Sequence, residues 1–311
     1  MKCKINYLRR FALPLAMIAL VAPSLVLAQE EAPNRDPDNH ETAPPSADYN
    51  RKLLLTNGIS AIGGSSGGGI SQWATIAGIQ SDRGIGMQAH VTGVLLPDFR
   101  LQSHGVAIGV GDRLEISYAR QNFDTQQVGA ALEIGKGYVL NQDIFGAKIR
   151  VLGDLVYGDP LVPQIAIGAQ YKRSLDGAIA IAVGAAHDDG LDLTLSATKL
   201  FLSKSILVDA TARLTKANQN GLLGFGSIAD DYYSVEFEGA VAYQLSRRVV
   251  VGTEIRTKPD NLGLDEDDWF DVFAAWAATE NITLTAAYAD LGSIATFKNQ
   301  RGAFLQAQFA F

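Results

Sequence analysis

Apolar and polar residues alternate with a period of two along stretch after stretch of this chain, most clearly from residue 191 onward. Leu191, Leu193, Leu195 and Ala197 fall on one face, with Asp192, Thr194, Ser196 and Thr198 on the other. Tyr233, Val235, Phe237, Val241, Tyr243 and Leu245 share a face opposite Ser234, Glu236, Glu238 and Gln244. After Arg247-Arg248, Val249, Val251 and Ile255 alternate with Glu254, Arg256 and Lys258. Side chains of a strand point by turns to its two sides, so each stretch is a strand with one greasy face and one wet face. A transmembrane barrel requires this pattern, because a Lys or Arg on the lipid side near the midplane costs roughly 2–4 kcal/mol. A soluble β-sandwich alternates too, but with shorter strands.

Extending the pattern predicts strands at 52–62, 70–80, 84–95, 100–110, 113–123, 143–153, 163–173, 191–201, 206–216, 232–245, 248–258, 269–278, 282–290 and 302–311. The fold class is all-β, a transmembrane antiparallel up-and-down barrel of about 14 strands with periplasmic termini, the even count expected of single-chain bacterial barrels. Short turns such as 111–113, 203–205 and 246–248 then share one side, and the long loops 124–142, 174–190, 217–231, 259–268 and 291–302 share the other. Ala178 to Val183 is apolar on both parities, which predicts a short helix in the external loop, and Val128 to Leu132 reads the same way. An extra hairpin, giving about 16 strands, is the alternative. Aromatics form two bands, with Tyr232, Tyr233, Trp269, Phe270, Tyr288 and Phe123 toward the outer ends. Tyr243, Trp276, Phe201, Phe309 and Phe311 lie toward the inner ends, as interfacial girdles require. Phe309 and Phe311 close an amphipathic final strand that is similar to the signal read by the barrel assembly machinery.

The ends of the chain add an address. Lys2, Lys4, Arg9 and Arg10 precede an apolar run to Leu27, and Val26-Leu27-Ala28 supplies small residues for cleavage, so 1–28 reads as a secretory signal peptide. Cys3, the only cysteine, lies inside it. Residues 29–50, with Pro33, Pro37, Pro44 and Pro45 and few large apolar groups, read as a disordered periplasmic leader. That leaves 51–311 as the barrel. The signal carries four of the 26 Lys and Arg, so the remainder sets 22 against 33 acids, for a charge near −11. This argues against nucleic acid as a partner. The expected location is the bacterial outer membrane, in contact with lipid and lipopolysaccharide.

Several runs resemble an uncharacterised proteobacterial family, domain of unknown function 3034. They are Arg51–Thr56, Ala119–Thr125, Ser196–Phe201, Thr215–Gln219, Gly221–Gly226, Arg256–Gly263 and Ile294–Phe297. The resemblance covers essentially 51–311 and implies an outer-membrane location, with no activity or catalytic residue to carry over.

Candidate chemistry is sparse. Gly64-Ser65-Ser66-Gly67-Gly68 satisfies G-x-S-x-G, but that motif needs a strand, a tight turn and a helix to expose its serine. Here it reads as a flexible hairpin loop. His40, His90, His104 and His187 have no metal-ligand spacing, and His90 shares parity with the lumen-facing Gln88 and Thr92. No cofactor and no enzymatic activity are expected. By parity the lumen is lined by Glu115, Lys148, Arg150, Lys172, Asp192, Asp209, Arg213, Glu236, Glu238, Glu254, Arg256 and Lys258, together with Asp271. This near balance of charge fits a structural salt-bridge network or a weakly selective transport lining. Acid runs at Asp188-Asp189, Asp230-Asp231 and Asp265–Asp268 precede inward-running strands. Of these, Asp230, Asp231, Asp265, Asp267 and Asp268 are candidates for divalent-cation binding at the outer rim. The function predicted is a passive channel or uptake pore for small solutes. The alternatives are a non-conducting structural or adhesive barrel, and a membrane-embedded hydrolase. Whether loops 124–142 and 174–190 plug the lumen is the question the sequence leaves to the structure.

Overall fold

The computed structural model describes residues 51–81 and 84–311. The segments read as signal peptide and leader, with Cys3 and His40, lie outside the described residues. A short hairpin comes first, pairing β1 (Ile59–Ser60) with β2 (Ser66–Gly67). Twelve long strands follow: β3 (Ile85–Leu95), β4 (Arg100–Val110), β5 (Leu114–Asp124), β6 (Val139–Leu152), β7 (Gln164–Ser174), β8 (Asp189–Phe201), β9 (Ile206–Thr215), β10 (Ser234–Ser246), β11 (Val249–Arg256), β12 (Trp269–Ala277), β13 (Ile282–Asp290) and β14 (Arg301–Ala310). Each pairs antiparallel with its neighbours in sequence, and β14 pairs with β3 to close the barrel. Closure leaves no strand edge unpaired, which is what a sheet in hydrocarbon needs.

Alternation is realised on both sides of the wall. In β8, Leu191, Leu193 and Leu195 are exposed while Asp192, Thr194, Ser196 and Thr198 are buried. In β12, Phe270, Val272 and Trp276 point outward and Trp269, Asp271, Phe273 and Ala275 inward. The tight turn between β4 and β5 depends on left-handed backbone at Gly111 (φ 58°) and Asp112 (φ 47°), whose twist matches that of a strand pair. The two apolar loop segments fold as predicted into short helices, α1 (Val128–Ala131) and α2 (Gly177–Ala182).

The barrel wall has twelve strands, not about fourteen: 52–62 and 70–80 are not part of it. Every residue from Thr56 to Ile79 is buried, on both parities. A wall strand keeps one face exposed to lipid; this segment keeps none. It is a hairpin folded into the lumen, where side chains from the surrounding strands enclose it. Twelve strands about 4.8 Å apart and tilted about 40° give a backbone diameter of roughly 24 Å, too wide for wall side chains alone to fill. The hairpin occupies that space.

Candidate functional site

A segment with so little regular structure must have its backbone polar groups satisfied by something else, since irregular chain at membrane depth is stable only when enclosed by protein. The barrel wall supplies the partners. Three carboxylates accept from hairpin donors. Glu115 takes Ser66 N (3.1 Å) and Ala77 N (2.8 Å), Glu238 takes Gln72 N (2.7 Å), and Glu254 takes Ile70 N (3.0 Å) and Ser71 Oγ (2.5 Å). Cations and amides answer the carbonyls. Lys148 Nζ donates to Ser66 O (2.7 Å) and Trp73 O (3.1 Å), Arg256 to Ile70 O (3.0 Å), Gln164 to Ala74 O (2.6 Å), Gln306 to Ser60 O (2.7 Å) and Gln121 to Ile62 O (2.8 Å). The fit is close. A β-carbon at Gly68 would collide with the Glu254 carboxylate.

These wall groups are themselves cross-braced. Glu238 pairs with Arg213 (2.7 Å) and Arg256 (3.3 Å), Asp192 with Lys172 (2.7 Å), and Glu115 with Lys148 (3.4 Å). Asn220, in the loop between β9 and β10, reaches down and accepts from both Lys172 and Arg256 at 2.7 Å. Asp209 accepts from Thr198 Oγ1 (2.6 Å). At the inner mouth Asp112 bridges Lys52 of the entering chain (2.6 Å) and Arg150 (3.0 Å). At the outer end Lys258 pairs with Glu266 (2.9 Å) and Glu236 accepts from Thr257. Burial lowers the pKa of Lys258 and raises that of Glu266, the latter opposed by the Lys258 charge. Of the thirteen charged residues that parity assigns to the lumen, ten, all but Asp209, Glu236 and Asp271, appear in the salt bridges or hairpin contacts just described.

Above and below the hairpin lie two cavities. The outer one, about 240 Å³, has Ile62 of the hairpin as part of its floor. Phe99, Leu101, Phe123, Leu140 and Trp269 form its wall, and Leu132, Ile179 and Val183 of the α1 and α2 loops form its roof. Residues of loops 124–142 and 174–190 thus roof this chamber. Phe123 and Trp269, predicted for the outer girdle, are 6% and 4% exposed and face this chamber instead. Tyr232, Tyr233, Phe270 and Tyr288 are exposed as a girdle requires, and so are Tyr243, Trp276, Phe309 and Phe311 at the other end. The inner cavity, about 580 Å³, is lined by Lys52, Thr56, Thr75, Asp112, Tyr157 and Gln164 among others. Stacked apolar residues brace the hairpin between them, Trp73 packing with Leu200, Leu207 and Phe273 toward the inner end.

Other expectations are redirected. Gly63–Gly69, read as a flexible hairpin loop, is the buried tip of the hairpin. Ser66 of the G-x-S-x-G run is fully buried, its hydroxyl donating to Asn57 O (2.5 Å) and lying 2.8 Å from Thr75 Oγ1. The rim acids do not converge. Asp231 pairs with Lys216 (2.9 Å) and His187 (3.3 Å), the Asp230 carboxylate accepts from Tyr232 N (3.3 Å) while its backbone N–H donates to Ser227 Oγ, Asp268 accepts from Lys258 N (3.2 Å), and Asp265 and Asp267 meet the Ser293 hydroxyl only through backbone O and N. Among the described residues no three His, Asp or Glu side chains are close enough to hold a metal ion. His90 faces the lumen, 3.3 Å from Ser103. Two ion pairs on the wall strands face outward: Arg301 with Asp290 (2.7 Å), and Arg120 with Asp143, joined at 2.5 and 3.0 Å near the outer ends of β5 and β6, with Tyr118 donating to the same carboxylate.

A family model described as a protein of unknown function, DUF3034, matches residues 56–308. The chain belongs to this family. The DUF3034 match begins at the first buried residue of the hairpin, so hairpin and barrel fall within one family unit. Four of the runs that carry the resemblance contribute to the outer chamber, through Phe123, Gln219, Leu222, Leu223 and Ile294. No curated protein sequence matches the chain. Among solved structures it is similar to the KdgM porin, at 10% identity over 72% of this chain and 99% of that one, with a TM-score of 0.46. It is similar also to the outer membrane protein Omp33 of Acinetobacter baumannii (8% identity, 72% and 97% covered, TM-score 0.42). The third is the outer membrane phospholipase A of Escherichia coli (8% identity, 73% and 91% covered, TM-score 0.37).

Proposed function

We propose that this DUF3034 protein is an outer-membrane uptake channel for small solutes, closed at rest by its own N-terminal hairpin. The observation that carries the reading is the order of spaces along the barrel axis. An outer chamber and an inner vestibule are separated by one hairpin, which is held mainly by hydrogen bonds to wall side chains. Without the hairpin, a cylinder of roughly 24 Å backbone diameter would leave an aqueous path of roughly 10 Å between side chains. The apolar belt and its two aromatic bands support residence in lipid, and the predicted signal supports export through the periplasm. Contact with lipopolysaccharide at the outer rim, and recognition by the assembly machinery through Phe309 and Phe311, belong to the same reading.

A purely structural barrel would share the fold but not the behaviour. In planar bilayers the full chain is expected to stay mostly closed, with brief discrete openings, and proteoliposomes carrying it should admit small solutes. Complete silence at every potential, with no solute entry, would overturn the channel in favour of the structural barrel. No hydrolytic role is included, because the serine of the G-x-S-x-G run is enclosed in the hairpin.

A further inference from the structure

The outer chamber is unusual in what it leaves unmatched. Its wall is formed by Phe99, Leu101, Phe123 and Leu222, yet two polar groups on residues that line it have no hydrogen-bond partner among the described residues. They are Trp269 Nε1, a donor, and Gln121 Oε1, an acceptor. Both residues are buried, at 4% and 0% exposure. A buried donor or acceptor left unmatched is destabilising, so a site that carries two of them beside an empty apolar space is arranged for something that supplies the partners. The nearby cations are not available for that purpose. Arg256 and Lys258 lie over the Trp269 ring at 5.3 and 5.6 Å, but Arg256 is bonded to Ile70 O, Asn220 and Glu238, and Lys258 to Glu266. An anion entering the chamber would find no free countercharge and would lose its hydration.

From this we infer that the chamber is a binding site for a small neutral molecule, aromatic or cyclic, that carries one hydroxyl-type group. Size sets the class. An apolar cavity of about 150 Å³ is known to accept benzene, so about 240 Å³ accommodates a benzene ring with a substituent of about two or three heavy atoms. The hydroxyl accepts from Trp269 Nε1 or donates to Gln121 Oε1, while the ring packs against the Phe and Leu wall. Leu132 and Val183 line the chamber yet remain 45% and 42% exposed, which places its mouth between the α1 and α2 loops on the outer side. The inference deepens the uptake reading, and rests on it for the ligand's onward path but not for its binding.

The test is isothermal titration of the full chain in detergent with three probes of similar size: 4-ethylphenol, ethylbenzene and benzoate. The phenol is expected to bind saturably at one site, the hydrocarbon about tenfold more weakly, and the carboxylate not at all. Leu101→Trp, which fills the chamber, should abolish binding of both neutral probes. If that variant fails to fold, Leu223→Trp, placed on a loop, makes the same test. Trp269→Phe keeps the ring and removes the donor, so it should weaken the phenol and leave ethylbenzene unchanged. Absence of phenol binding, equal binding of the carboxylate, or binding that survives a folded chamber-filling variant would overturn the inference. Equal affinity for phenol and hydrocarbon would overturn the role of the unmatched polar groups. Failure here, with channel openings still present in bilayers, would leave the uptake reading standing; binding without any opening would do the reverse.

Discussion

Replacing Glu254 by alanine removes the carboxylate that accepts from Ile70 N at 3.0 Å and Ser71 Oγ at 2.5 Å, the two contacts that hold the hairpin beside its glycine-rich tip. Hydrogen bonds to a charged group contribute about 1.5–3 kcal/mol each, which gives about 3–6 kcal/mol for the pair. Part of this is returned, because Glu254 sits directly across the β11–β12 ladder from Asp271, and its loss relieves the crowding of two acids. A net loosening of about 2–4 kcal/mol remains, which shifts the equilibrium for hairpin release about 30- to 700-fold at 1.4 kcal/mol per decade. The assay is open probability in planar bilayers, with circular dichroism to confirm the barrel. Glu254→Gln, which retains one acceptor, should fall between wild type and alanine. Glu236→Ala is the control, since its carboxylate bonds Thr257 and makes no hairpin contact. An open probability unchanged by Glu254→Ala, in a barrel that is still folded, would refute the idea that these bonds keep the channel shut.

Other perturbations test separate parts of the arrangement. Trp73→Ala empties the inner apolar cluster with Leu200, Leu207 and Phe273, a loss of about 3–5 kcal/mol; protease cleavage within 56–80 should appear while the wall strands stay protected. Asp143→Asn leaves Arg120 on the outer surface without its bidentate partner, and unfolding in urea should show a loss of about 1–2 kcal/mol that Arg120→Met restores. The Asp231 carboxyl is held below its usual pKa first by the hydrogen bond from Lys216, which outweighs the opposing desolvation, and then by the hydrogen bond from His187. A folded-state pKa below the unfolded value means the stabilisation is present above about pH 4 and fades as the pH falls through the folded value. Amide protection in 227–233, relative to the intrinsic exchange rate at each pH, should therefore fall on acidification, and Asp231→Asn should remove that dependence.

What the sequence revealed and what it concealed have one physical origin. A wall strand meets lipid on one side and polar lumen on the other, so β8 or β10 announces itself through a period of two. The helices α1 and α2 were legible by contrast, as apolar runs with no such period. The hairpin meets protein on every side. Leu53, Leu54 and Leu55 are apolar on both parities, and Ile70–Ile79 mixes Trp73 and Thr75 with Ile76 and Ala77, a pattern that fits a poor strand as well as an enclosed segment. That run of broken alternation, next to Gly63–Gly69, was the available sign that these residues do not face lipid. Parity assigns each charge to one face of its strand, and a single face is all that parity decides. It did not reveal that Glu115, Glu238 and Glu254 grip the chain's own backbone, since those partners lie 38 to 184 residues away in sequence. Phe123 and Trp269 misled for the opposite reason. Aromatic residues at a strand's outer end suit a lipid interface, and they suit an apolar chamber inside the mouth just as well.

Single-channel recording of the chain lacking residues 56–80 bears most directly on the claim that the hairpin closes the barrel. The deleted protein, confirmed as a folded barrel by circular dichroism, is expected to conduct steadily, as an open path of roughly 10 Å would, whereas the full chain stays mostly shut. If the two are equally silent, something other than the hairpin blocks the lumen; if they conduct equally, the hairpin blocks nothing. Either result would contradict the account.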